Sequence, residues 1–308
     1  MRRFIVPVLL PIILILTACN TAPAPTDSPP ALVQALASGL PWPIIRSGSS
    51  GRDVVTAQYL LRARGYGVSA DGAFGAGTEG AVKSFQTTQA LTSDGVVGAN
   101  TWEKLIQTVQ NGSTGDAVRA AQDQLLNRFG YGVSMDGVFG GGTKIGAQNF
   151  QRSRDLTDDG IVNLSTWSAL VSNKAAVMLS DVSARARLSA AGISVVSSGN
   201  CSDRNVSTCT SLDGIRASSI RGILAFKNAS GCSFSVTGGT EIGHAGGAFS
   251  HGNGYKLDIS RTSCVTNYIN NTFSNIGTRG DGAPQFKDGR GDVYADEYFA
   301  SHWDILFY

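Results

Sequence analysis

The sequence of 308 residues has little net charge and few histidines. Its formal charge is only +2, whereas a nucleic-acid-binding surface needs a clear positive excess, so no nucleic-acid partner is expected. Only three histidines occur, all in the last quarter of the chain. Hydrophobic residues make up 42% and charged residues 16%, which is typical of folded chains. Glycine is abundant, with 38 residues, and predicts many turns.

The sequence also lacks an apolar run long enough to span a bilayer comfortably. Residues 1–18 have arginines at positions 2 and 3 and continue with an apolar stretch that two prolines interrupt, a pattern typical of a targeting segment. The stretch "LTAC" at its end resembles the lipobox of bacterial lipoproteins. That resemblance implies cleavage before Cys19, lipidation of its thiol, and an exported protein anchored to a membrane at the periplasm or cell surface. An ordinary signal peptide is the alternative interpretation.

Residues 19–44 are rich in proline and alanine and are predicted to form an extended tether. Four cysteines follow, an even number that favours two disulfides in an exported chain. Because no CxxC spacing is present, a zinc–cysteine site is not favoured. Four cysteines allow three pairings, and we favour Cys201–Cys209, which closes a short polar loop, together with Cys232–Cys264.

Residues 45–108 and 109–172 form an internal repeat, in which Trp102 and Trp167 correspond at a spacing of 65 residues. Apolar residues three and four apart predict a buried helix face near the start of each copy; they are Val54, Ala57 and Leu61 in the first copy, and Val118, Ala121 and Leu125 in the second. "DGAFG" and "DGVFG" predict turns, and Thr78 and Thr143 are expected to cap the helices that follow.

Both copies contain G-x-x-V-x-x-x-Q-x-x-L, then D-G-x-F-G, F-Q, D-G-x-V and T-W. This pattern resembles the small three-helix peptidoglycan-binding domain of bacterial cell-wall hydrolases. The resemblance implies two all-α three-helix repeats and peptidoglycan as a partner. Gln86 and Gln151 are candidates for the residues that line the binding groove.

After residue 172 the repeat stops, and helix patterns followed by strand patterns predict an α+β domain with a small antiparallel sheet over residues 173–308. The whole chain is therefore expected to be multidomain. "SHGNGYKLDI" is interpreted as a strand that bends at Gly252 and Gly254, so that His251 and Asp258 face one ion. With His302 they make a plausible three-ligand zinc site.

The pattern H-x-x-G-x-x-x-D with a late H-W resembles zinc metallopeptidases related to D-alanyl-D-alanine carboxypeptidases and L-alanyl-D-glutamate endopeptidases. The resemblance implies that His251, Asp258 and His302 bind Zn²⁺ and that the domain hydrolyses amide bonds of peptidoglycan stem peptides. The catalytic acid of that family precedes the last histidine by three residues, where this sequence has phenylalanine. Glu297 and Asp296 are the nearest acids, and a two-residue insertion would restore Glu297 to the role.

Substrate-binding candidates are His244, in the expected cleft, and Arg279, whose cation could share developing charge. Arg216 and Arg221 are alternatives for the cation. One competing function is a wall-anchoring lipoprotein with a non-catalytic peptidase-like domain, and another is glycan cleavage by paired carboxylates. The bond that is cut and the oligomeric state are left open by the sequence.

Overall fold

The computed structural model describes residues 40–308, which form one compact unit. Cys19, the lipobox and most of the predicted tether lie outside the described residues. Within residues 40–308, no helix has both the length and the apolar character that a membrane span requires.

Each repeat folds into three helices, as the pattern predicted. The first copy contains α1 (Arg52–Ala63), α2 (Ala76–Thr88) and α3 (Ala99–Leu105), and the second contains α4 (Asp116–Asp123), α5 (Gly141–Ser153) and α6 (Leu164–Val171). The residues of both predicted apolar faces are fully buried, and Leu125 lies just beyond the end of α4. Trp102 and Trp167 are also fully buried, and each indole N–H donates to a backbone carbonyl, of Pro43 and Gln107 respectively. The two tryptophans are therefore core residues.

The second copy contains one extra residue, because Gln58 and Gln122 are 64 residues apart whereas the tryptophans are 65 apart. The structure absorbs this residue in a π-helical turn, Gln124–Arg128, that continues α4. Gln124 in this turn donates a hydrogen bond of 2.8 Å to Thr56 of α1. The insertion thus lies where the two copies pack together.

Gln86 and Gln151, the candidates for the groove, are buried and each holds an Asp-Gly loop, and Gln86 also lines a cleft of about 260 Å³ on the first repeat. Gln86 Nε2 donates to Asp94 Oδ1 (2.8 Å) and to the Val96 carbonyl (2.9 Å), while its Oε1 accepts from the Gly95 N–H (2.9 Å). Gln58, Gln122 and Gln151 hold the other three Asp-Gly loops in the same way.

The predicted threonine caps are wrong. The residues before α2 and α5 are Gly75 and Gly140, and neither helix has a side-chain cap. Thr78 and Thr143 are instead buried acceptors for the side-chain amides of Gln58 and Gln122.

The rest of the chain combines three helices with two sheets. The helices are α7 (Asp181–Ala190), α8 (Ala217–Ser230) and α9 (Ser263–Thr272). A small sheet pairs β1 (Met178–Leu179) with β3 (Ile215–Arg216). The main sheet has seven strands in the order β2 (Ser194–Val195), β4 (Ser235–Gly238), β5 (Lys256–Ser260), β9 (His302–Leu306), β8 (Val293–Glu297), β7 (Pro284–Lys287) and β6 (Ser274–Thr278). It is larger than predicted and not purely antiparallel, since β2 and β4 run parallel.

The three central strands are amphipathic, and their register positions the site. On one face, Leu257, Ile259 and Trp303 are fully buried and pack in the core with residues of α8 and α9. On the other face, Asp258 of β5 lies opposite Asp304 of β9, and Glu297 of β8 lies opposite His302 of β9. Residues two apart on a strand share a face, so four polar side chains meet there.

The strand predicted over "SHGNGYKLDI" begins only at Lys256. His251 lies in a turn before it, where the Gly254 N–H donates to the His251 carbonyl (2.7 Å). Gly254 has φ of +74°, and an added Cβ would come within 2.5 Å of the Gly214 carbonyl oxygen. A turn, rather than a glycine-bent strand, therefore brings His251 to the sheet.

The predicted disulfide pairing is confirmed, with bonds Cys201–Cys209 and Cys232–Cys264. The first closes a loop beside the polar face of the sheet, and the second joins the end of α8 to the start of α9.

Charged side chains join the second repeat to the α+β region. Arg152 of α5 pairs with Asp292 at 2.9 Å, and both side chains are almost completely buried. Arg221 of α8 pairs with Asp158 at 3.1 Å, in a second, more exposed cluster. The second repeat is therefore packed against the α+β region rather than linked to it by a free segment.

Candidate metal centre

A polar cleft of about 540 Å³ opens on the polar face of the main sheet. Strands β5, β8 and β9 form its floor, and the loop between β4 and β5 forms one wall. The charged and imidazole side chains that line it are His244, His251, Lys256, Asp258, Arg279, Asp281, Glu297, His302 and Asp304. Six of the seven sequence-predicted site residues, all except Asp296, therefore reach the same cleft.

His251 is only 5% exposed and its tautomer follows from its contacts. Nδ1 lies 2.8 Å from the Gly239 carbonyl oxygen, which is only an acceptor, so Nδ1 carries the proton of that bond. Nε2 then points at two carboxylate oxygens, Asp258 Oδ1 at 3.4 Å and Asp304 Oδ1 at 3.5 Å. In the neutral imidazole, three acceptor atoms face one another.

The two facing carboxylate oxygens are buried and have no hydrogen-bond partner among the described residues. Such atoms require a compensating positive charge. Burial lowers the pKa of His251, but the attraction between a protonated imidazole and the carboxylates of Asp258 and Asp304 outweighs it and raises the pKa to about 10. A proton on Nε2 or a bound cation would each meet this demand. Imidazole nitrogen and carboxylate oxygen are ordinary zinc ligands, so the residues present fit that ion.

His302 lies at the edge of this cluster. Its Nε2 is 3.7 Å from Asp258 Oδ1 and 2.7 Å from Glu297 Oε2. A four-residue turn between β8 and β9 makes Glu297 and His302 a cross-strand pair, although five positions separate them in sequence. The hairpin thus places an acid beside the last histidine despite the unusual spacing.

Asp296, the other candidate acid, does not reach the cleft. It lies on the opposite face of β8, where it accepts hydrogen bonds from Arg261 at 2.7 and 3.1 Å. Of the two candidate catalytic acids, Glu297 is therefore the one that the fold places beside His302.

His244 stacks on His251, with ring centroids 3.8 Å apart. Its Nδ1 is 3.9 Å from Asp258 Oδ2, and its Nε2 is 3.1 Å from Glu241 Oε1. Potential ligand atoms of His244, His251 and Asp258 all lie within 4.8 Å of one another. Two histidines, His244 and His302, are therefore placed to complete a site with His251 and Asp258.

Glu241 holds this wall of the cleft. It is 4% exposed and accepts backbone hydrogen bonds from Ser211 (2.8 Å) and Gly239 (3.0 Å). Burial raises the pKa of Glu241, but the hydrogen bonds from His244 and the backbone lower it more, so the carboxylate form is favoured. Glu241 thereby orients His244.

Asp304 is a site residue that sequence reasoning missed. Its Oδ2 accepts from Lys256 Nζ (2.5 Å) and from Arg279 Nη1 (2.7 Å), while its Oδ1 faces His251. Arg279 also contacts Glu297 and Asp281. Of the three candidate arginines, only Arg279 lines this cleft. The signal for Asp304 was its position two residues after His302 in one strand.

Comparison with known proteins identifies the repeats. Residues 50–105 and 114–170 match the family model described as "Putative peptidoglycan binding domain". An uncharacterized protein of Kitasatospora aureofaciens is 45% identical over 58 residues, which are 18% of this chain and 49% of that protein. The spore cortex-lytic enzyme of Bacillus cereus is 38% identical over 68 residues, or 22% of this chain and 26% of that enzyme.

A solved structure from Clostridium acetobutylicum is described as a fused Zn-dependent amidase/peptidase/peptidoglycan-binding domain-containing protein. It is 39% identical in sequence, and the match covers 22% of this chain and 30% of that chain with a TM-score of 0.21. These similarities cover the peptidoglycan-binding part alone, and the chain spans half or less of each relative. The protein therefore contains two peptidoglycan-binding repeats, which indicate a place at the cell wall or envelope.

Proposed function

We propose that residues 173–308 form a zinc peptidase domain that hydrolyses amide bonds of peptidoglycan stem peptides, as a carboxypeptidase or an endopeptidase. The main supporting observation is that His251 Nε2 faces one carboxylate oxygen of Asp258 and one of Asp304, both of which are buried and lack a hydrogen-bond partner among the described residues. Only a proton or a cation can be bound favourably between these three acceptor atoms.

The proposed ligands are His251, Asp258 and His302, with His244 as the alternative third ligand. Zinc, when bound, would polarise the scissile carbonyl and lower the pKa of a water molecule. The hydrogen bond from His251 Nδ1 to Gly239 keeps Nε2 directed into the site. Asp304 adds negative charge next to His251, which favours a cation there.

Glu297 is the proposed general base, because its carboxylate is at the edge of the ligand cluster and on the open face of the sheet. It would accept the proton of the attacking water and return it to the leaving amine. Arg279, which contacts Glu297, supplies a cation that would stabilise negative charge on the scissile carbonyl oxygen.

The repeats would hold this domain on its substrate and raise the local substrate concentration. We further propose export and lipidation of Cys19, with the membrane as a second attachment. The two disulfides in the described residues support export, since such bonds persist in oxidising compartments.

The test is digestion of purified peptidoglycan by the zinc-supplied chain, followed by detection of new amine ends and mass spectrometry of the fragments. Wild type is expected to release amine ends, and the fragment masses identify the bond. Glu297→Gln should lower the rate by about 100-fold or more, the usual range for a general base.

Asp296→Asn is the matched control, because it changes the adjacent carboxylate on the opposite face of β8 and should retain most of the activity. If the zinc-supplied wild type releases no amine ends, the peptidase proposal fails. The protein would then act as a wall-anchoring protein through its repeats.

A further inference from the structure

A second cleft, of about 380 Å³, lies where the second repeat meets the α+β region. We call it the junction cleft. Its lining combines aromatic rings, two arginines and small residues: Phe129, Gly130, Tyr131, Ser153, Arg154, Ala176, Arg216, Ser218, Phe249, Tyr255 and Tyr308. No acidic side chain is among them.

The two arginines of the junction cleft have no ion-pair partner within residues 40–308. Arg154 is 9% exposed; its Nε donates to the Lys174 carbonyl (2.6 Å) and its Nη1 to Ser153 Oγ (2.5 Å). Arg216 donates through Nε to the Asn253 carbonyl (3.1 Å). Burial lowers the pKa of Arg154, and the nearby charge of Arg216 acts in the same direction. Two cations that face one cleft without a counter-ion indicate a site for an anion.

Aromatic side chains form another part of the junction cleft. The Arg216 guanidinium lies 3.8 Å from the ring centroid of Tyr255, and Phe249 packs on both Tyr255 (5.0 Å) and Tyr308 (5.6 Å). Phe249 remains 50% exposed and Tyr308 36% exposed. Aromatic faces are electron-rich, so they favour a ligand face with C–H groups, such as a pyranose ring.

The second repeat differs in sequence from the first at the positions where it contacts the α+β region. Arg154 corresponds to Gln89 in the first copy, and Arg152 to Thr87. The charge at the junction cleft is therefore a feature of this interface and not of the repeat fold.

We propose that the junction cleft binds a glycopeptide, with a pyranose ring against Phe249 and Tyr308 and a peptide carboxylate on Arg154 and Arg216. Phe249 of the junction cleft and His251 of the candidate metal centre are two residues apart on the same loop. This binding goes beyond the proposed hydrolysis and does not depend on it.

The test is isothermal titration of the full chain with N-acetylmuramyl-L-alanyl-D-isoglutamine, which has both a ring and a free carboxylate. EDTA is present, so metal-dependent cleavage cannot contribute. N-acetylglucosamine supplies the ring alone, and the dipeptide L-Ala-D-Glu supplies carboxylates alone. The glycopeptide is expected to bind at least tenfold more tightly than either part.

Arg154→Gln, which restores the residue of the first repeat, and Arg216→Gln should each weaken glycopeptide binding by roughly tenfold or more, as expected for a charge-assisted hydrogen bond. Phe249→Ala, at an exposed position, should weaken it without affecting folding. Arg46→Gln is the control, since Arg46 is exposed on the first repeat. Binding by the repeats elsewhere would persist in every variant, so the readout is the difference between variants.

Equal affinity of the Arg154→Gln, Arg216→Gln and wild-type chains, with all of them folded by circular dichroism, would overturn the proposal. A dipeptide that binds as tightly as the glycopeptide would also overturn it, because the cleft would then recognise acidic peptides without a saccharide.

Discussion

The buried ion pair between Arg152 and Asp292 joins the second repeat to the α+β region. Arg152→Thr introduces the residue that the first repeat has at the corresponding position, Thr87. Both partners are at most 1% exposed and 2.9 Å apart. Removal of the arginine leaves the Asp292 carboxylate buried without its cation, which typically costs about 3–5 kcal/mol. That is a large share of the stability of an ordinary domain.

The assay is urea unfolding of the full chain, with circular dichroism as the signal. Arg62→Ala is the control, because Arg62 pairs with Asp116 but is 41% exposed, and such pairs contribute about 1 kcal/mol or less. In the double variant Arg152→Thr/Asp292→Asn, the buried charge is removed as well, so part of the loss should be recovered. A loss for Arg152→Thr no larger than that of the control would refute the reasoning.

Three further predictions concern single sites. Burial, and after it the charge of Asp292, raises the pKa of Asp288 to about 6, so ionisation of Asp288 destabilises the fold as pH rises from about 4 to 6. Asp288→Asn should therefore raise the free energy of unfolding at pH 7 and leave it unchanged near pH 3.5. An equal effect at both pH values would contradict this. His302→Ala should weaken zinc affinity, measured by chelator competition, by more than about 100-fold, and His244→Ala by less; the reverse order would assign the third ligand to His244. Replacement of Cys201 and Cys209 by serine should lower the unfolding free energy by about 2 kcal/mol in chemical denaturation, and an unchanged value would show that the loop is held by its other contacts.

The features predicted correctly from the sequence are those that local spacing determines. The repeat pattern predicted three helices per copy, and the short polar loop between Cys201 and Cys209 led to the observed disulfide pairing. The threonine caps failed because the side-chain amides of Gln58 and Gln122 use Thr78 and Thr143 as acceptors, a tertiary interaction that helix-start patterns do not include.

The candidate site was only partly predictable because strand register decides it. The histidine–aspartate spacing indicated His251 and Asp258, although a turn rather than a bent strand brings them together. The spacing of two residues places Asp304 on the same face of β9 as His302, but only the pairing of β5 with β9 brings it opposite Asp258. In the same way, the hairpin between β8 and β9 makes Glu297 a neighbour of His302 at a spacing that the sequence pattern did not favour.

The central claim is that His251, Asp258 and a third ligand, His302 or His244, hold a zinc ion. Its most direct test is the metal content of the purified chain, measured by inductively coupled plasma mass spectrometry after equilibration with zinc and removal of free metal. We predict one zinc per wild-type chain, and a large loss in His251→Ala and Asp258→Ala but not in Asp296→Asn. A wild-type chain that retains no zinc, or variants that retain as much as wild type, would contradict the account.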